Sequence, residues 1–324
     1  MDKQPNLMLD PQMEGQLSQF EISPEKVQPY LDHPERISTF MDFKVDYAFK
    51  YILGHKRILL KLVNDIFPVQ VEDIEYLSNE IPVISEKEKR ATFDVICTAR
   101  GSGEKFLAEM QCLPDLDMTD RLLYYGCSLI HRQIERGDES YLLKPVYVLC
   151  IANYKRKHEA AVGSGRFFFA YQFREENYPK EKLTDNLQYF YLELPRLQKI
   201  WDSLETNLER WCYLFGNLNN FASVPQNPAG FEDVFNVALT GELTDKGFGK
   251  YVTSMVTEYD KRVIGGYFRQ EGYEAGLAEG QAKGKAEGKA EAERATAKKL
   301  RELKVEPAII SQATGLSEEE ILAL

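Results

Sequence analysis

The stretch FDVICTARGSGEKFLAEMQC, positions 93–112, constrains the chain most. Two apolar, β-branched runs flank Gly101-Ser102-Gly103, where glycines supply the positive φ values of a tight turn, so the segment predicts an antiparallel hairpin. Within a strand, residues i and i+2 share a face. Glu109 and Gln111 therefore project together, while Ala108 and Met110 point the other way. A two-residue turn at Ser102-Gly103, or a four-residue loop over 101–104, sets Asp94 opposite Gln111, with Glu109 diagonal on the same face. A three-residue loop without a bulge would put Asp94 opposite Met110 and separate the two acids.

An Asp and a Glu on neighbouring strands are ordinarily solvated surface positions. Here Asp94 is flanked by Phe93, Val95 and Ile96, and Glu109 by Leu107 and Met110. Both are expected to be partly desolvated, and buried carboxylates are costly without a cation. Hard oxygen donors of this kind suit Mg²⁺, which neutralises phosphate charge and acidifies an attacking water.

Upstream, FKVDYAFKYILGHKRILLKLVNDIF spaces Phe43, Tyr47, Leu59, Leu62, Val63 and Ile66 as helices do, and predicts two short helices ended by Pro68. VEDIEYLS reads as a strand. Downstream, MTDRLLYYGCSLIHRQIER carries Leu122, Leu123, Tyr125, Leu129, Ile130 and Ile134 close to a 3.6-residue period, an amphipathic helix. On it Arg121, Tyr124 and Tyr125 stand at i, i+3 and i+4. They gather on one face, where Arg121 either binds phosphate oxygens bidentately or packs on the tyrosines at the surface. PVYVLCIANY, RFFFAYQF and LQYFYLEL read as strands, the first of them central. From Leu197 helical signals dominate, with Trp201, Leu204, Leu208, Trp211 and Leu214 on one stripe. The sum is an α/β fold.

A formal net charge of −11 means that any phosphate-binding surface must be local, because affinity for nucleic acid comes largely from Lys and Arg displacing counterions. Two basic clusters qualify: Lys87, Lys89 and Arg90 ahead of the Asp94 strand, and Lys155, Arg156 and Lys157 after the central strand. Solvated loop charge is the alternative for both. The four histidines lack metal-ligand spacing and no phosphate-cradling glycine loop follows a strand, so neither zinc nor a nucleotide cofactor is indicated. The five cysteines form no CxxC pair, and there is neither an apolar export signal nor an eighteen-residue apolar run. These features point to a cytoplasmic chain with no membrane partner.

Residues 1–38 show no sustained period and read as a disordered arm. The α/β core follows over 39–195, and a helical extension packed on it over 196–270. In 271–296, Gly272, Gly276, Gly280, Gly284 and Gly288 recur among Ala, Glu and Lys, a helical linker with almost no apolar face. It is either a solvated spacer or a stalk that joins a second copy of the chain, since glycines at i and i+4 permit close helix approach. The segment 297–324 predicts a small unit with the outline of a helix-turn-helix, its last helix capped by Ser317 with Glu320 three residues on. Glu318, Glu319 and Glu320 at that helix start favour protein contact over DNA contact.

At these residues the sequence resembles the PD-(D/E)XK nuclease family transposases, also described as recombination-promoting nucleases. An Asp strand, a Gly-containing turn and an EMQ strand carry the likeness. DYAFKYILG at 46–54, the helix with Arg121, Tyr124 and Tyr125, and the Gly/Ala/Glu/Lys tail with its ATGLSEEEI ending add to it. The resemblance implies a restriction-endonuclease-like mixed β-sheet flanked by helices with a helical C-terminal extension. It also implies DNA cleavage with Mg²⁺ or Mn²⁺ and a link to recombination or mobile elements. Carried over by position, Asp94 and Glu109 are metal ligands, and Gln111 stands where many relatives have lysine. Asp46 matches an early acidic position, although a helix N-terminus favours an acid in any case. An amide can orient water or phosphate but brings no positive charge.

Two functions are carried forward. One is a metal-dependent DNA endonuclease with Asp94, Glu109, Gln111 and Asp46 at its centre and with Arg121, Tyr124, Tyr125, Lys89 and Arg90 on phosphate. The other is a nuclease fold weak or inactive in catalysis, serving assembly through its tail.

Overall fold

The computed structural model describes residues 8–81, 91–115, 117–134, 137, 140–157 and 165–323. Eight strands occur among them: β1 (Ile74–Tyr76), β2 (Glu80–Ile81), β3 (Ala91–Thr92), β4 (Val95–Ala99), β5 (Lys105–Gln111), β6 (Val146–Ala152), β7 (Phe168–Tyr171) and β8 (Leu187–Glu193). The helices are α1 (Pro11–Ser18), α2 (Pro24–Leu31), α3 (Asp46–Leu53), α4 (Lys56–Ile66), α5 (Met118–His131), α6 (Asn207–Asn217), α7 (Glu232–Val237), α8 (Asp245–Glu302), α9 (Pro307–Thr314) and α10 (Glu318–Ala323). The chain divides into two compact units, one up to Arg262 and one from Val263.

In the first unit six strands form a mixed sheet in the order β1-β4-β5-β6-β8-β7, and β2 pairs with β3 apart from it. β6 runs parallel to both β5 and β8, and every one of its residues is buried, as a strand covered on both faces requires. On one face Ile96, Leu107, Val148 and Cys150 pack with Met118, Leu122, Tyr125 and Leu129 of α5. On the other, Cys97, Phe106, Tyr147 and Phe190 join the cluster that contains α3, α4 and α6. In α4 the residues Ile58, Leu59, Leu62, Val63 and Ile66 are all buried, each worth roughly 1.5–3 kcal/mol of transfer free energy. α5 lies so close to β8 that a Cβ on Gly126 would stand 2.5 Å from the Tyr189 hydroxyl.

Two expectations change. Residues 8–38 are ordered: Asp10 caps α1 by accepting from the Gln12 amide at 2.9 Å, and Met13, Leu17 and Val27 are buried. Each of these helices brings only one or two apolar residues to the core, too few to produce a period in the sequence. Tertiary burial offsets their ordering entropy. Likewise ATFDVICTAR, expected as one strand, is two, because the chain changes partner at Phe93-Asp94: β3 pairs with β2 and β4 with β5.

In the unit from Val263, Ala297, Ile310 and Ile321 are buried together with Leu300, Val305 and Leu316 around them. Gly315, at φ 77°, ends α9, and Ser317 and Glu320 then cap one another at the start of α10. A Cβ on Gly280, Gly284 or Gly288 would meet nothing within 4 Å. All five cysteines are free, and no described helix is long and apolar enough to cross a membrane.

Candidate active site

The hairpin pairs Val95 with Ala108, Ile96 with Leu107, Cys97 with Phe106 and Thr98 with Lys105. Gly101 and Gly103 adopt φ values of 90° and 85°, and Ala99 closes the loop by donating to the Glu104 carbonyl at 2.8 Å. The loop is thus Arg100–Gly103, one residue earlier than the expected 101–104. Continued along the strands, this register sets Asp94 opposite Glu109 and not opposite Gln111. The shift is an even number of residues, so all three side chains keep a common face.

At Asp94 side chains take over from the backbone ladder. The Asp94 amide donates to Glu109 Oε1 at 3.0 Å, and the Met110 amide donates to Asp94 Oδ2 at 2.9 Å. Each acid therefore fixes the backbone of the other strand. Glu109 is 5% exposed and the Asp94 side chain 21%. Burial pushes the Asp94 carboxyl up to about 6; Lys50 opposes this and Asp46 adds to it. Glu109 is raised well above the usual carboxylate range, first by burial and then by the negative charge of Asp94.

Lys50 completes the group, and it was not among the residues expected from the sequence. Its ammonium lies 2.7 Å from Asp46 Oδ1, one turn earlier on α3, and 3.6 Å from Asp94 Oδ1. Burial disfavours its charge, but Asp94 and Asp46 outweigh that and hold its pKa above the ordinary lysine value. The i, i+4 spacing of Asp46 and Lys50 within DYAFKYILG was the available signal. Their meeting with Asp94 comes from tertiary packing.

Gln111 has both ends of its amide engaged: Oε1 accepts from Arg121 Nη2 at 2.9 Å, and Nε2 donates to the Leu113 carbonyl at 2.9 Å. Arg121 also donates to Asp115 Oδ2 at 3.1 Å. Tyr125 is buried edge-on against Phe93, and its hydroxyl donates to the Thr92 carbonyl at 3.4 Å. Burial and the nearby Glu109 push that phenol up to about 12. Tyr124 is 45% exposed, so the expected trio divides: Arg121 and Tyr125 reach the acids' surroundings and Tyr124 faces outward. Lys89 and Arg90 lie outside the described residues. Of the second basic cluster, Arg156 is bound inward to the fully buried Glu193 at 2.9 Å.

A model of the PD-(D/E)XK nuclease family transposases matches residues 43–264. The chain belongs to this family. The matched span contains Asp46, Lys50, Asp94, Glu109, Gln111 and Arg121. No curated protein and no solved structure matches the chain.

PD-(D/E)XK nucleases generally use divalent metals, and the donor chemistry here fits one. Two carboxylates meet, both held above their ordinary pKa by burial, so both would gain from a dication. Among the described residues no group of three His, Cys, Asp or Glu side chains comes together as a ready metal site. Mg²⁺ commonly takes only one or two protein carboxylates and completes its shell with water and phosphate. In this family member a cavity of about 260 Å³ opens beside the acids, lined by Asp46, Asp94, Met110 and Gln111 together with Lys44, Glu258 and Lys261.

Proposed function

We propose that the chain is a nuclease that hydrolyses phosphodiester bonds in DNA with Mg²⁺ or Mn²⁺. The observation that carries this reading is the Asp94–Glu109 pair, two desolvated carboxylates clamped across a hairpin beside a buried lysine. Asp94 and Glu109 would hold the ion. When bound, it supplies Lewis acidity toward the phosphate and makes a water a stronger acid.

The chain's own residues do the rest. Lys50 brings the positive charge that an amide at position 111 lacks, and Asp46 holds it in place. Gln111 anchors the Arg121 guanidinium through its amide oxygen, and the second hydrogen of its amide nitrogen, beside the one given to Leu113, orients a water in the cavity. Arg121 then faces the phosphate as a charge-assisted donor. Tyr125 packs behind the acids. On the family's description we place the activity in recombination or element mobility. The opposing reading, a fold without effective catalysis, draws on the missing lysine at 111 and on the net charge of −11, and Lys50 answers the first of these.

The test is nicking or linearisation of supercoiled plasmid by purified protein in Mg²⁺, Mn²⁺, Ca²⁺ or EDTA, beside Glu109→Ala. Cleavage that requires Mg²⁺ or Mn²⁺ and disappears in the variant is expected. Folded protein that cuts in no metal, and forms oligomers that depend on residues 271–296, would sink this reading in favour of the assembly module.

A further inference from the structure

The strand pairing leads across the sheet from Glu109 to a second cavity. Glu109 pairs with Cys150 and Cys150 with Tyr191, so Tyr191 shares the face of Glu109 two strands away, about 10 Å at the usual strand spacing. A cavity of about 240 Å³ opens at Tyr191, lined also by Thr119 and Leu123 of α5, Tyr171, Tyr189 and Arg156. Tyr171 is 41% exposed and Leu123 44%. The Arg156 guanidinium lies 3.3 Å from the centre of the Tyr191 ring and donates to the Tyr171 hydroxyl at 3.2 Å. The buried Glu193 holds this guanidinium and that of Arg196. One carboxylate against two arginines leaves positive charge, and Lys155 and Lys157, on either side of Arg156, are exposed. In a chain of net charge −11 this is a local concentration of the opposite sign.

We infer that this cavity takes one unpaired base of the DNA strand, stacked on its tyrosines, while Lys155 and Lys157 meet the flanking phosphates; the inference rests on the nuclease reading. Proteins that hold single strands combine these two parts, aromatic faces for the bases and cations that follow the backbone. Bases in a duplex cover one another's faces, so an aromatic lining serves a base that has left the stack. The lining residues carry hydroxyls and one guanidinium but no amide or carboxylate, so the base is held by stacking and its identity matters little. The start of α5 stands between the cavity and the acids: Thr119 lines the one, and Arg121 reaches Gln111 beside the other. A span of about 10 Å is about three nucleotides at the rise of a duplex strand and fewer in an extended one. A strand whose phosphate lies at Glu109 therefore reaches Tyr191 within that distance.

The experiment measures fluorescence anisotropy of labelled decamers with the full chain in EDTA at low salt, where nothing is cut. The probes are dT, rU and an abasic DNA strand that keeps the phosphates and lacks the bases. Wild type should bind dT roughly tenfold more tightly than the abasic strand, the effect of about one stacked base. Tyr171→Ala should remove that difference while leaving the abasic affinity unchanged, and Tyr171→Phe should keep it. Tyr171→Leu, which fills the space without a ring, serves if the alanine disturbs β7. Equal affinities for dT and the abasic strand in the wild type, no binding of any decamer, or a difference that survives in the folded alanine or leucine variant overturns the inference. An rU decamer bound more tightly than dT assigns the cavity to RNA and overturns it too. The plasmid assay, run in parallel, separates the two readings: a base preference without cleavage leaves the stacking site standing and removes the nuclease, and cleavage without a base preference does the reverse.

Discussion

The backbone amide of Met110 lies 2.9 Å from the carboxylate of Asp94, so the residue between Glu109 and Gln111 is held by an acid from the facing strand. Asp94 thus carries a structural duty beside its proposed chemical one, and two substitutions separate them. Asp94→Asn keeps an acceptor for Met110 and should fold with near-native stability while losing cleavage by about 100-fold or more. Asp94→Ala leaves the amide unpaired and should cost roughly 1–3 kcal/mol in addition. Urea unfolding beside plasmid cleavage reads both. Equal stability losses in the two variants would remove the structural part of this account.

Lys50→Met deletes the cation that opposes the upward shift of Asp94. Both acids should then hold their protons to higher pH. The rising limb of the pH–rate profile should move toward alkaline pH, with cleavage lowered by about 100-fold near neutrality. Lys50→Arg, which retains the charge, should recover part of the rate. An unmoved limb in Lys50→Met would show that Lys50 does not act through the acids.

Asp94 titrates near 6 and Glu109 well above its ordinary value, both raised by burial. An acid raised in the folded state favours folding below its unfolded pKa, roughly 4, and loses that contribution as pH rises through the folded value. Without metal, these two groups therefore weaken the fold between about pH 4 and the upper folded value. A dication binds the deprotonated pair and competes with protons below that value. The melting-temperature gain from Mg²⁺ should be larger at about pH 8 than at about pH 6, and it should vanish in Glu109→Ala. A gain independent of pH would place the ion elsewhere.

Gly126 lets α5 meet β8. An added Cβ would lie 2.5 Å from the Tyr189 hydroxyl and 2.9 Å from Leu187 Cδ1. Gly126→Ala should therefore destabilise by about 1–3 kcal/mol, despite the roughly 1 kcal/mol by which alanine is the better helix former. Adding Tyr189→Phe removes the clashing oxygen and should restore part of the loss in chemical denaturation. If Gly126→Ala is as stable as wild type, the helix approaches less closely than described.

The hairpin, the three strands after α5 and the common face of Asp94, Glu109 and Gln111 were legible because each depends on alternation within a few residues. The register was off by two because loop placement around Gly101-Ser102-Gly103 turns on which glycine takes which φ, and several assignments share one sequence. Lys50 escaped notice for a different reason. A lysine in an apolar helix reads as a surface charge until the fold brings Asp94 to it from a strand 44 positions away. The α1 and α2 helices were illegible because their order comes from a surface built by later residues.

The lysine between Asp46 and Asp94 gives the acids a counterion that is part of the polypeptide. Small metal-dependent folds of the zinc-finger kind collapse when stripped, because the free energy of binding the ion is most of their folding free energy. Here the fold does not wait for an ion: Lys50 already offsets part of the acids' charge, and a bound dication would add to a stability that exists without it. On the nuclease reading proposed above, a chelator should therefore silence the chain without unfolding it.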